Sequence, residues 1–65
     1  MKTFLTNEQE IKAAIRRRGT KIYCVDRDLN TYEIDQVRKR KDTLLVRPAR
    51  DTHWTNDYIS IYSER

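Results

Sequence analysis

Apolar positions in the first third of the chain recur at helical spacing. Ile11, Ala14 and Ile15 fall on one stripe. Thr6-Asn7-Glu8-Gln9 fits a capping box, with Thr6 as N-cap and Gln9 reaching back from the third helical position. Glu8 and Glu10 precede Arg16, Arg17 and Arg18, the order that a helix dipole favours, and Gly19 stands where a left-handed residue ends a helix. The spacing predicts a helix over 7–18. With Ile11 turned inward, Lys12, Arg16 and Arg17 project outward.

Beyond Gly19 the period shortens to two. KIYCV (21–25) is β-branched and aromatic, and Asp26 to Asn30 reads as a turn. TYEIDQV (31–37) alternates with Tyr32 and Ile34 on one face until Val37 falls out of phase, the sign of a bulge or a strand end. Residues 38–42 read as a polar connection, TLLVR (43–47) as a strand stopped by Pro48, and 49–56 as a looser stretch. DYISIY (57–62) alternates again, with Ile59 and Ile61 opposed to Tyr58 and Tyr62. The expected fold is α+β, one N-terminal helix packed on a three- to four-stranded antiparallel sheet in α-β-β-β-β order. Its core is Ile11, Ile15, Ile22, Ile34, Leu44, Val46, Ile59 and Ile61, closed at one end by Phe4 or Leu5. Trp54 is expected either to plug the space that few aliphatics leave, the favoured reading, or to stand as an exposed anchor.

Length fits a single small binding domain over 1–65, near the lower limit for autonomous folding. One glycine and one proline leave no linker. Cys24 is the lone cysteine, so no internal disulfide forms and a reducing, cytoplasmic setting is expected. No stretch approaches the roughly eighteen apolar residues of a membrane span, and MKTFLTNEQE lacks an apolar leader segment.

Catalysis needs proton-exchanging or nucleophilic groups converging in a pocket. One histidine, His53, and one cysteine, placed mid-strand as a small apolar filler, do not suggest an enzyme, and they fall short of a four-ligand metal set. No catalytic residue, metal or cofactor is expected. VDRDLNTY (25–32) resembles the first signature of the Sm-like RNA-binding proteins: an Asp, then an Asn four residues later, after a leading helix. The glycines of that signature are absent and no second signature follows, and an Asp and an Asn flanking a turn also suit local turn geometry. No site residue is carried over from it.

Charge changes the picture more. The net charge is +4, yet residues 36–50 carry six bases against one acid. Nine of the fourteen bases are arginine, which binds phosphate bidentately and stacks on planar groups. A basic chain of this kind suits DNA or RNA as a partner, or an acidic protein surface. The candidate contacts are Arg16, Arg17, Arg38, Lys39, Arg40, Lys41, Arg47 and Arg50. Alternation adds Tyr23, Tyr58 and Tyr62 on a helix-free sheet face, where they could stack bases or anchor a protein. The expected function is a non-enzymatic nucleic-acid-binding regulator that contacts phosphates. The alternative is a protein-binding accessory or inhibitor, such as a phage-type factor blocking a larger host protein. Pairing of an edge strand with a second copy is open in either case.

Overall fold

The computed structural model describes residues 2–50 and 52–65; Asp51 of the loose stretch lies outside them. The elements are β1 (Lys2–Phe4), α1 (Glu8–Arg16), β2 (Lys21–Val25), β3 (Thr31–Arg40), β4 (Thr43–Pro48) and β5 (Ser60–Glu64). They form an α+β fold with a five-stranded sheet in the order β1-β5-β2-β3-β4, antiparallel throughout. Two expectations change. The sheet has five strands rather than three or four, and the helix follows a strand instead of leading. β1 is missed because Lys2, Thr3 and Phe4 are all exposed and carry no apolar alternation; it is held by its pairing with the far end of the chain, Lys2 opposite Glu64 and Phe4 opposite Tyr62.

The helix is shorter than 7–18, and its cap moves by one residue. Asn7 is the N-cap, its Oδ1 accepting from the Glu10 amide at 2.8 Å. Glu10 reaches back to accept from the amide and hydroxyl of Thr6. These bonds hold the Glu10 carboxyl below its ordinary pKa, the Thr6 hydroxyl first among the causes. The helix stops at Arg16, and Gly19 takes φ +78° in the turn that follows, where the Thr20 amide donates to the Arg17 carbonyl.

Ile11 and Ala14 of the helix pack on Ile22, Cys24, Ile34, Val37, Val46 and Ile61, with Leu5, Ile15, Tyr32, Leu44 and Tyr58 around them. Ile59, expected inside, is 58% exposed, and of the two residues offered for closing one end Phe4 is 64% exposed. The strand begins at Ser60, so the alternation that buries Ile61 does not reach Ile59; there the chain is only joining the sheet, the Ile59 amide donating to the Val25 carbonyl. Phe4 and Leu5 point apart, and Leu5 is the one that packs inward.

β3 is the longest strand and carries the out-of-phase valine. Ile34 pairs with Pro48 and Gln36 with Arg47, leaving Asp35 as an extra, bulged residue. In a regular strand positions three apart face opposite ways; the bulge lets Ile34 and Val37 both face the helix. Residues 38–40 are therefore strand rather than connection, and the link to β4 is only Lys41-Asp42, with Lys41 at φ +55°. Beyond β4, Thr55 exchanges two backbone hydrogen bonds with Val46 at 2.9 Å, extending the sheet by one rung.

Candidate nucleic-acid interface

The pairs Gln36–Arg47, Arg38–Leu45 and Arg40–Thr43 put Arg38, Arg40 and Arg47 on the face of β3 and β4 that points away from the helix. Trp54 lies against the same face. The Arg38 guanidinium carbon sits 4.4 Å from the Trp54 ring centroid, a cation–π stack. Trp54 is thus no plug: it is half-buried and lies outside the buried core cluster. Arg47 is half-withdrawn, its Nη2 3.5 Å from Asp35 Oδ1. Its Nε is buried without an acceptor among the described residues, so part of the guanidinium is turned away from solvent.

The other expected bases do not join this surface. Lys39 pairs with Leu44 on the opposite side and borders Asn7, Glu8 and Gln9 at the start of the helix. Arg16 borders Asp35 and Gln36 at the helix's far end, and Arg17 caps that end. Lys12 pairs with Glu8 at 2.6 Å, so the helix offers no unopposed basic stripe. Lys41 stands exposed at the hairpin tip, and Arg50 lies beyond β4 in the lining of a cleft.

The tyrosines divide. Tyr23 and Tyr62 are cross-strand partners on the helix-free face, stacked at 5.5 Å, and Phe4 meets Tyr62 edge-on at 6.0 Å. Lys2 Nζ lies 4.9 Å from the Tyr62 ring centroid. Tyr62, enclosed by these neighbours, is only 9% exposed, so its ring is largely spent on packing. Tyr58 is not on this face. It packs against the core and its hydroxyl donates to the Leu44 carbonyl at 2.9 Å; alternation misplaced it because residue 58 precedes the strand. Burial raises its pKa. Glu33, opposite Tyr23, and Asp35 separate the aromatic row from the arginines.

Sequence reasoning missed a cleft of about 480 Å³ beside the start of β3. Tyr32 and Pro48 line it, with Asp26, Arg50, His53 and Asp57 around them. Its only sequence signal was the adjacent His53-Trp54 pair in a polar loop. Burial foremost, then hydrogen bonding with Cys24, raises the Tyr32 pKa well above its ordinary value. Asp26 is committed to its turn, its Oδ1 accepting from the amides of Asp28 and Asn30 at 2.9 Å each. That bonding accounts locally for the Asp-to-Asn spacing that resembled the Sm-like signature. Asp57 is set by the Thr55 hydroxyl, which accepts from its amide at 3.0 Å, and its Oδ1 pairs with Arg27 Nε at 3.2 Å.

No three His, Cys, Asp or Glu residues gather as a metal site among the described residues, and no helix there is long and apolar enough to cross a membrane. The chain matches no known protein family, and no curated protein or solved structure is significantly similar to it.

Proposed function

We propose that this protein is a small, non-enzymatic, cytoplasmic nucleic-acid-binding module that grips phosphates with the outer face of its β3–β4 hairpin. The observation that carries the reading is the outward pair Arg38 and Arg40, with Arg38 stacked on Trp54 and Lys41 at the tip. A guanidinium held on an indole is oriented before binding, so less side-chain freedom is lost when it meets a phosphate. Arg50 extends the basic surface toward the cleft, while Lys39, Arg16 and Arg17 contribute only to the general field. Fluorescence anisotropy with labelled DNA and RNA over a salt series tests this. Replacing Arg38, Arg40 and Lys41 by Ser is expected to weaken binding more than tenfold at low salt. The slope of log K against log salt should become shallower by about two for a single strand. Absence of wild-type binding at about 50 mM salt rules the reading out.

A second reading, an accessory or inhibitor that docks on a larger protein, is favoured by Leu29. This residue is 73% exposed and held at φ +66°, where a leucine is strained. Ile59, also exposed, joins the sheet at Val25, on the strand end that leads into the Leu29 turn.

A further inference from the structure

His53 and Trp54 are consecutive yet serve different surfaces. Trp54 lies under Arg38 on the hairpin face, and His53 walls the cleft beside Arg50. This one loop thus touches both the arginine face, through Trp54, and the cleft, through His53. The cleft is in the size range of small-molecule sites and joins three unlike surfaces. Tyr32 and Pro48 give an apolar lining, Arg50 a cation, and Asp57 an exposed carboxylate that pairs through Oδ1 with Arg27, its backbone amide held by the Thr55 hydroxyl. Asp26, the other carboxylate there, already accepts from two amides of its turn.

We infer that this cleft receives one unpaired, amino-bearing base of a single strand. The base lies on Tyr32 and Pro48, its exocyclic amino group donates to the Asp57 carboxylate, and its phosphate meets Arg50. The inference rests on the nucleic-acid reading above and adds two properties to it, preference for single strands and preference among bases. A base paired in a duplex cannot enter a cleft; an unstacked one can. A carboxylate accepts from the amino group of cytosine, adenine or guanine. Thymine and uracil offer only a ring N–H flanked by two carbonyl oxygens, which a carboxylate repels. DNA and RNA share this chemistry.

The test uses the full chain and labelled eight-residue oligomers: oligo(dC) and oligo(dT), and oligo(C) and oligo(U) to separate the two sources. Wild type is expected to bind each cytosine oligomer about tenfold tighter than its thymine or uracil counterpart. It should also bind oligo(dC) at least tenfold tighter than the same strand paired with oligo(dG). Asp57→Asn carries both a donor and an acceptor and removes a negative charge. It is expected to bind thymine oligomers better than wild type does and to reduce the cytosine preference below about twofold. Arg38→Ser is expected to weaken all oligomers alike and leave the preference intact. Equal wild-type affinity for cytosine and thymine oligomers, or a preference that survives Asp57→Asn, overturns the cleft assignment and leaves the arginine face standing. No binding to any oligomer removes both.

Discussion

The two halves of β3 use the same strand geometry for different ends. Before Asp35, strict alternation sends Ile34 into the core and leaves Glu33 beside the aromatic row. After Asp35 the phase is reset: Val37 takes the buried position, and Arg38 and Arg40 turn outward, Arg38 onto Trp54. Had Asp35 instead taken its place in the ladder opposite Arg47, every later residue would have shifted by one, and the outward arginines and the inward valine would have exchanged faces. One bulged residue thus decides where the basic surface lies. The proposed binding face is set by register, not only by composition.

That difference can be broken from either side. The largest effect is expected from emptying the buried positions. Ile34→Ala, in the first half, should cost about 2–5 kcal/mol, enough to leave so small a domain largely unfolded. Val37→Ala should cost less, about 2 kcal/mol, because fewer methyl groups leave a slightly exposed site. Thermal melts followed by circular dichroism measure both; a neutral Val37→Ala would show that the second half is not anchored in the core. Deleting Asp35 is expected to be milder. Gln36 would then face Arg47 in a regular ladder, Val37 would stay inside, and the loss should be about that of one exposed ion pair, up to 1 kcal/mol. Collapse of the deletion variant would mean that the bend of the bulge, rather than its residue count, holds the hairpin in place. Arg38→Ser with Arg40→Ser should be the least disruptive to folding, under about 0.5 kcal/mol each, while binding falls. A marked drop in melting temperature instead would make the arginine face part of the structural framework.

Much of the scaffold could be read along the chain because it rests on local signals. KIYCV forms β2 over the residues that its composition marked, Gly19 takes its positive φ, and the phase slip at Val37 is a bulge. Hidden were the features fixed by partners distant in sequence. β1 has no pattern of its own and exists through β5. Tyr58 turns inward for a carbonyl fourteen residues earlier, which strand alternation cannot reveal. The candidate site divided along the same line. Arg38 and Arg40 stay together because they lie on one strand face, whereas Lys39 and Arg16, close in sequence or charge, were carried to other surfaces. The cleft draws on the turn before β3, β3 itself, the end of β4 and the loop after it, and no single segment announces it.

Cys24 sits at the centre of β2 with no exposed surface, flanked by Tyr32 and Ile61 on the neighbouring strands. Burial raises the pKa of its thiol, so even the reactive thiolate is scarce in the native state. A disulfide reagent can therefore meet the sulfur only when β2 parts from the strands on either side. The rate of thiol labelling in native buffer then reports how often the middle of the sheet opens. This chain carries its own stopwatch, one thiol with one background rate. Adding a nucleic acid that binds only the closed sheet would slow that stopwatch by the factor 1 + [L]/Kd, giving an affinity without any label on either partner.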